Sequence, residues 1–243
     1  MLIGTSGWHY ASWRGVFFPQ GLRSSKQLDY YAGRFVTTEL NGVFYRTPSV
    51  DAVRDWAKRT PRNFVFAWKA SRFITHWKRL SAKSQNSLEL MASRLRLLGP
   101  KAGPVLFQLP PNFKKNRERL VAFIDMLDRR WRYAFEFRHV SWYDEDIFDL
   151  LASRAISLCI SDHHDAPSPW RATAKTVYVR AHGPTGRYRD HYSPQTLAAW
   201  SRRIAKWRRR GHSIFVYFDN DQKAAAPRDA QRLIESLARV YKR

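Results

Sequence analysis

Polar and ionisable residues in this sequence recur at the ends of short apolar segments. In Ala134–Arg138, Glu136 and Arg138 alternate with apolar residues, and Val177–Arg180 ends on an arginine in the same way. Alternate side chains of an extended strand point to the same face, so Glu136 and Arg138 would share one face. The residues at such segment ends are Ser6, Trp8, His9, Tyr10, Glu39, Asn41, Tyr45, Lys69, Ser71, Gln108, Glu136, Arg138, His139, Asp162, His163, Arg180, His182, Asp219, Asn220 and Asp221.

Three carboxylates of this set are the candidate catalytic residues. Glu39, Glu136 and Asp162 have the chemistry to transfer protons or to support a metal ion. A glutamate with Lys or Arg nearby normally stays ionised, so a general base is a more natural role than a general acid. Any one of these residues could instead belong to a self-satisfied ion pair, but the whole set on one rim favours a site, because buried unpaired charges are costly.

The cationic and aromatic residues of the same set suit an anionic substrate. Lys69, Arg138 and Arg180 could hold phosphate or carboxylate, and an arginine can do so bidentately. Neighbouring rings suit the stacking of bases or sugars, although Trp13 and Phe44 are expected to pack under loops. The predicted substrate-binding residues are Trp8, Tyr10, Asn41, Lys69, Gln108, Arg138, Trp142, Arg180, His182, Tyr188 and Asn220.

The string Asp162-His163-His164-Asp165 resembles a metal cluster. Adjacent residues at a strand end cannot all face one ion, whereas alternate ones can. Asp162 with His182 and either Glu136 or Glu39 could bind one divalent ion. A hydrogen-bonding role for the histidines is preferred, so we predict no cofactor and assign no metal ligand.

The segments that must position these residues alternate between strand and helix patterns. The predicted helices are 26–34, 50–59, 84–98, 117–129, 145–154, 194–210 and 228–241, and residues 165–175 read as a loop or one short helix. The predicted strands are 2–8, 37–45, 64–71, 104–109, 133–138, 156–162, 176–182 and 213–221. Eight strands with helices between them predict a parallel (β/α)8 TIM barrel, whose chemistry would lie at the carboxyl ends of the strands.

Other sequence features predict the domain organisation and the cellular location. No Gly/Ser linker divides the chain, so residues 1–243 are expected to form a single domain. Cys159 is the single cysteine and lies in an apolar run, which favours a buried thiol in a reducing compartment. We see neither a signal peptide nor an apolar stretch of membrane-spanning length, and expect a cytoplasmic protein without a membrane partner.

The charge balance is the strongest global signal. Lys and Arg total 43 against 20 Asp and Glu, for a formal net charge of +23. Such a field attracts polyanions, so DNA or RNA are possible partners; a basic protein with solvated arginine faces is the alternative. In Trp200–Arg210, Trp200, Ile204 and Trp207 fall on one stripe, which predicts a helix that packs on the barrel with its arginines in water.

Ordered motifs along the whole chain resemble the YecE-like proteins, also called domain of unknown function 72. They include Gly4-Thr5-Ser6-Gly7-Trp8, Thr38-Glu39-Leu40-Asn41, Ile74-Thr75-His76, Leu106–Pro111, Glu136-Phe137-Arg138-His139, Tyr178-Val179-Arg180 and Asn220-Asp221. The resemblance implies a (β/α)8 barrel similar to those of sugar-phosphate isomerases and endonuclease IV, and implies little chemistry. The family often has Asn at the position of Asp219 and glycine at those of Ala224–Ala226, so the loop after strand eight is expected to be stiffer and more negative here.

Three functional hypotheses follow. The leading one is an enzyme, such as a hydrolase, that acts on a phosphate-bearing substrate or nucleic acid at the carboxyl rim. Glu39, Glu136 and Asp162 would perform proton or metal chemistry there. The second is a non-catalytic nucleic-acid-binding barrel. The third is an enzyme for a small carbohydrate or carboxylate, which explains the rim but leaves the net charge unused.

Overall fold

The computed structural model describes residues 1–241 as an alternation of strands and helices. The strands are β1 (Leu2–Thr5), β2 (Thr37–Leu40), β3 (Val65–Lys69), β4 (Ala102–Gln108), β5 (Tyr133–Glu136), β6 (Ser157–Ser161), β7 (Thr176–Ala181) and β8 (Ser213–Phe218). The α-helices are α1 (Gln27–Ala32), α2 (Val50–Arg59), α3 (Gln85–Leu98), α4 (Arg117–Asp125), α5 (Glu145–Ser153), α6 (Pro194–Arg209) and α7 (Ala225–Tyr241). Within these residues, no helix combines the length and apolar character that a membrane crossing requires.

All eight strands are parallel and close into a barrel. Each strand pairs with its neighbours in chain order, and β1 also pairs with β8. β1 and β2 meet at a parallel bridge between Ser6 and Glu39, where the Gly7 amide donates to the Glu39 carbonyl at 2.7 Å. This closure confirms the predicted (β/α)8 TIM barrel.

Seven of the eight strands are shorter than the apolar pattern suggests, whereas β4 begins two residues earlier than predicted. β2 ends at Leu40 instead of Tyr45, because Gly42–Phe44 turn as a 3-10 helix. β8 ends at Phe218, so Asp219 is the first residue beyond it. The connection from β6 to β7, residues 162–175, contains neither helix nor strand, in agreement with the predicted loop.

Polar side chains cap four of the helices at their starts. Ser49, Asn116, Asp144 and Ser193 each accept a backbone N–H from the first turn of α2, α4, α5 and α6 respectively. Pro194 then occupies the first turn of α6, where its fixed φ suits the helix. These local signals determine where each crossover helix begins, and so which residues remain in the loops at the barrel mouth.

The interior of the barrel changes from apolar to polar along the strands. The apolar layer consists of Ala67, Leu106, Ala134, Cys159, Tyr178, Phe215 and Tyr217. Because side chains alternate along a strand, the next inward positions lie two residues further on. Buried polar side chains occupy them: Lys69, Gln108, Glu136, Ser161, Arg180 and Asp219. The inward face of the strands is therefore apolar in the middle of the barrel and polar at its mouth.

Helix α6 packs on the barrel wall as its sequence pattern predicts. Trp200 and Ile204 are buried, and Trp207 stacks on Trp170 with ring centroids 5.8 Å apart. Arg208 and the neighbouring arginines of this helix are exposed. The basic face of α6 is therefore a solvated outer surface of the barrel.

The loop after β7 has an unusual backbone. Tyr188 and Asp190 have φ of 64° and 67°, in the left-handed region that L-residues rarely adopt. Gly183 and Gly186 share this region, and a Cβ on Gly186 would lie 2.5 Å from the Asp162 carbonyl oxygen. The loop is thus pressed against the end of β6, which places the Tyr188 side chain over the mouth of the barrel.

Candidate functional site

An open cavity of about 670 Å³ lies at the mouth, among the carboxyl ends of the strands. Its walls combine cations, carboxylates, imidazoles and aromatic rings. The lining residues are Tyr10, Asn41, Phe44, Tyr45, Lys69, His76, Gln108, Pro111, Arg138, His163, His164, Asp165, Tyr188, Asp219 and Asp221. A cavity of this size suits a small molecule.

Arg180 forms the centre of a buried ionic network beneath this cavity. Its guanidinium is fully buried and donates to Glu39 at 2.9 Å, to Glu136 at 2.8 Å and to Asp219 at 2.7 Å. Burial alone would lower the pKa of Arg180, but the three carboxylates outweigh it and hold that pKa well above its usual value. Arg180 therefore stays charged and its donors are occupied by the protein itself.

The carboxylates of Glu39 and Glu136 are likewise occupied by hydrogen bonds from the protein itself. Glu39 also accepts from Ser6 Oγ at 2.5 Å and from the Tyr178 hydroxyl at 2.7 Å. Glu136 accepts from Arg138 Nε at 2.5 Å. Burial would raise the pKa of Glu136, but Arg138 and Arg180 outweigh it and hold the pKa well below its usual range. Both glutamates are fully buried.

His182 is neutral, and its tautomer follows from its neighbours. Its Nε2 faces Arg138 Nη2 at 3.2 Å and Arg180 Nη1 at 3.0 Å. Guanidinium groups only donate, so Nε2 accepts and Nδ1 carries the proton, which it donates to Asp162 Oδ1 at 3.2 Å. Burial, reinforced by the two arginines, lowers the pKa of His182 well below its usual value.

Lys69 has a different environment from the two arginines. Its side chain is only 6% exposed, and Nζ donates to Asn41 Oδ1 at 3.1 Å and lies 4.4 Å from the centre of the Phe44 ring. Among the described residues, no carboxylate oxygen lies within ion-pair distance of this ammonium group. Burial lowers the pKa of Lys69 to about 8, and the charge of Arg180 adds to the effect.

Two carboxyl groups of the cavity wall have raised pKa values. Burial raises the pKa of Asp219, which Arg180 only partly offsets. Burial and the adjacent charge of Asp219 raise the pKa of Asp221 to about 6. A carboxyl group that titrates near neutral pH can serve as a general acid or base. Asp221 lines the same cavity as Lys69.

Six of the predicted binding residues meet at this cavity. They are Tyr10, Asn41, Lys69, Gln108, Arg138 and Tyr188. Arg138 is held there by Glu136 and by the Tyr188 hydroxyl, which it approaches at 3.0 Å. Trp8 lines a neighbouring groove instead.

The structure changes the position expected for several other candidates. Glu39, Glu136, Arg180 and His182 lie below the cavity floor, because closure of the barrel brings opposite charges together there. Asp162, predicted as a catalytic carboxylate, does not line the cavity. Its Oδ1 accepts from the His182 amide at 2.7 Å, and its Oδ2 accepts from the Tyr192 hydroxyl.

Trp142 and Asn220 were also expected to bind substrate, and both are fully buried away from the cavity. Trp142 stacks on Phe137 at 4.7 Å and donates its Nε1–H to the Phe113 carbonyl at 2.6 Å. Asn220 Nδ2 donates to Asp190 O at 2.8 Å, so it supports the loop after β7. Trp142 belongs to the 3-10 helix Val140–Trp142, and Asn220 lies two residues beyond β8, so neither residue is directed into the cavity.

Several cavity residues were not among the predicted catalytic or substrate-binding residues. Asp219 and Asp221 stand at a strand end, and Asp219 lies two positions beyond the interior residue Tyr217, a signal that identifies it as inward-facing. His76 belongs to a π-helical turn, Phe73–Trp77, and only the family motif Ile74-Thr75-His76 marks it. Burial lowers the pKa of His76 to about 4, so this ring is uncharged at neutral pH.

The residues that could hold a metal ion differ from those considered in the sequence analysis. Within residues 1–241, the three side chains close enough to share an ion are His163, His164 and Asp165, whose ligand atoms lie within 4.8 Å of one another. These consecutive residues come together because the chain turns directly after β6. His182, by contrast, presents its free nitrogen to two guanidinium groups and is not available to a cation.

Comparisons with known proteins agree with this architecture. The family described as "Protein of unknown function DUF72" matches residues 2–243. The UPF0759 protein YunF of Bacillus subtilis is 27% identical, over 98% of this chain and 95% of the relative. A DUF72 family protein of Thermotoga maritima superposes with a TM-score of 0.88 at 27% identity, covering 98% of this chain and 99% of the other. One from Enterococcus faecalis gives 0.82 at 21% identity, over 98% and 95% of the two chains.

Proposed function

The chain belongs to the DUF72 family of proteins of unknown function, and since membership brings no stated reaction, we propose from the site itself that it is an enzyme acting on a small phosphate-bearing substrate in the barrel mouth. In this proposal Lys69 and Arg138 bind the phosphate. Asp221 performs the proton transfer, and Asp219 raises its pKa. Glu39, Glu136, Arg180 and His182 hold these groups in position from below.

The observation that carries the proposal is that, within residues 1–241, the buried ammonium group of Lys69 has no carboxylate partner within ion-pair distance. A buried ammonium group is costly unless it is paired, and here its polar partner is the neutral amide of Asn41. The ammonium faces a cavity into which Arg138 also points. A phosphate placed between them would supply the missing charge partner. Buried groups of this kind are kept at a cost in stability where they bind ligands.

The choice of Asp221 as the proton-transfer group follows from comparing its pKa with that of Glu136. Glu136 stays ionised and is occupied by arginines, so it does not exchange protons with a substrate. Asp221, with a pKa of about 6, is partly protonated just below neutral pH and lines the same cavity as Lys69. It is therefore the preferred proton donor or acceptor among the described acids.

Binding of inorganic phosphate tests the proposal directly. Lys69→Gln should weaken phosphate binding about tenfold or more in calorimetry, since hydrogen bonds to charged groups contribute about 1.5–3 kcal/mol. Lys101→Gln is the matched control, because Lys101 is also buried but donates to Thr60 O at 2.6 Å and Ala57 O at 2.5 Å. Equal affinity in wild type and Lys69→Gln, or no phosphate binding to the wild type, would reject the proposal.

A second candidate function is nucleic-acid binding on the outer surface. It is favoured by a different observation, the net charge of +23 together with the exposed arginines of α6. This surface lies outside the mouth, so the two functions are separable by experiment.

A further inference from the structure

A second cavity lies beside the mouth. This side groove has a volume of about 860 Å³ and lies among the loops after β1 and β2 and the helices α2 and α3. Tyr10, Asn41 and Tyr45 line both the side groove and the mouth cavity. The two cavities therefore adjoin, with these three side chains as their common wall.

Aromatic rings form much of the side groove. Trp8 and Trp56 are half-buried and pack edge to face, with ring centroids 5.7 Å apart at 84°. Tyr45 stands at the junction with the mouth and is 64% exposed. An exposed cluster of large rings next to a polar cavity is typical of a ligand-binding groove.

The charges of the side groove select the kind of ligand. Arg46 and Arg94 line it, and its described lining contains neither Asp nor Glu. Arg94 is held in place by its Nε–H, which donates to the Pro48 carbonyl at 3.1 Å. The Arg72 guanidinium lies 5.7 Å from the Tyr45 ring at the junction. Rings beside guanidinium groups favour a planar, electron-rich and anionic partner over a cationic one.

We propose that the side groove binds the planar ring of the substrate whose phosphate lies at Lys69 and Arg138, which makes that substrate a nucleotide-like aromatic phosphate. The inference rests on the proposed function, because it uses the mouth as the site of the phosphate. The ring stacks among Tyr45, Trp8 and Trp56, and the linker between ring and phosphate passes Tyr10 and Asn41.

Calorimetric titration with three probes tests the inference: inorganic phosphate, adenosine monophosphate and octyl phosphate. Adenosine monophosphate should bind about tenfold tighter than inorganic phosphate and tighter than octyl phosphate, because base stacking on aromatic residues contributes about that factor. Trp56→Ala should weaken nucleotide binding about fivefold or more and leave the binding of inorganic phosphate unchanged, because Trp56 lines the side groove but not the mouth cavity. Trp77→Ala is the matched control, since Trp77 is 63% exposed and lines neither cavity.

The outcomes separate this inference from the proposed function. Phosphate binding that is lost in Lys69→Gln, with a nucleotide no tighter than phosphate or weaker than octyl phosphate, overturns the inference alone. Nucleotide binding that is lost in Trp56→Ala but kept in Lys69→Gln rejects the proposed function and overturns the placement of the phosphate at Lys69, and leaves only a ring site in the side groove. A wild type that binds neither phosphate nor the nucleotide rejects both.

Discussion

Lys69 and Lys101 are both buried lysines, yet their surroundings differ in kind. Lys101 donates to two backbone carbonyls and to Thr60 Oγ1, so its ammonium group is satisfied by the protein. Lys69 lies at the mouth with one neutral hydrogen-bond partner, Asn41. Burial lowers the pKa of both, and lowers that of Lys69 to about 8. The comparison supports a structural role for Lys101 and is consistent with the proposed ligand-binding role of Lys69.

Anion binding at Lys69 should depend on pH. Because only the protonated amine attracts an anion, affinity should be constant below about pH 8 and fall about tenfold per unit above it. Sulfate is the appropriate probe, since its charge does not change over this range, and calorimetry from pH 6.5 to 9.5 measures the effect. Lys69→Arg should keep its affinity to pH 9.5, because a guanidinium stays protonated. The same pH profile in wild type and Lys69→Arg would contradict the assignment.

Glu136 provides the opposite case, a carboxylate that the fold itself requires. Glu136→Gln should destabilise the protein by about 3–5 kcal/mol, because Arg138 would be left buried without its carboxylate partner and Arg180 would lose one of its three. Urea unfolding at pH 7 measures this loss. Glu145→Gln is the control: its pair with Arg171 is exposed, and its loss should cost less than about 1 kcal/mol. An unchanged unfolding midpoint for Glu136→Gln would show that this residue is held open for a ligand instead.

At the scale of elements, backbone conformation matters most where a helix or strand ends. Helix α5 ends in a Schellman motif, in which the Ile156 amide donates to Leu151 O at 2.9 Å and the Ala155 amide to Ala152 O at 3.1 Å. Ala155 has φ of 53°, a position that favours glycine. Lys223 and Ala224, after β8, have the same left-handed φ, so side chains in that loop carry strain.

The end of α5 gives a stability test. Ala155→Gly should stabilise the protein by about 1 kcal/mol, because glycine adopts the left-handed conformation without a Cβ clash. Both Ala155 and Ala152 are exposed, so packing does not obscure the effect. Ala152→Gly, inside the helix, should lose about 0.5–1 kcal/mol. A loss of stability in both variants, measured by thermal unfolding, would argue against the Schellman assignment.

At the scale of the whole molecule, two charge distributions coexist. The buried cluster under the mouth is balanced, with Lys69, Arg138 and Arg180 near Glu39, Glu136 and Asp219. The excess of 43 basic over 20 acidic residues is therefore carried mostly by the surface, including α6. A surface field of this sign acts at long range on polyanions, whereas the mouth selects by short-range contacts.

Binding of nucleic acid to this surface should be strongly salt-dependent. If α6 takes part, changing Arg208, Arg209 and Arg210 to Gln should flatten the slope of log affinity against log salt, because fewer counterions are released. Fluorescence anisotropy with single-stranded DNA at several salt concentrations measures the slope. Changing Lys114, Arg117 and Arg119, which are also exposed, removes the same charge elsewhere and serves as the control. Absence of binding at low salt would leave only the small-molecule function.

Much of the fold was accessible from the sequence, because its signals are local. The alternation of short apolar runs with helical patterns identified the strands, and the stripe of Trp200, Ile204 and Trp207 identified the packed face of α6. The same alternation placed Lys69 and Arg138 at the carboxyl ends of their strands. Local rules of this kind require no knowledge of the remainder of the chain.

The sequence by itself thus determined the barrel, the polar layer at its mouth and the charge of its surface. Only the tertiary structure decided which charges are satisfied and which face the cavity. Glu39 and Arg180 are 141 residues apart in the chain, and they meet only because the barrel closes. Asp162 and Asp219 both follow a strand, yet the side-chain direction turns one toward Tyr192 and the other toward the cavity. Pairing over such distances depends on strand register and closure, which no local pattern encodes.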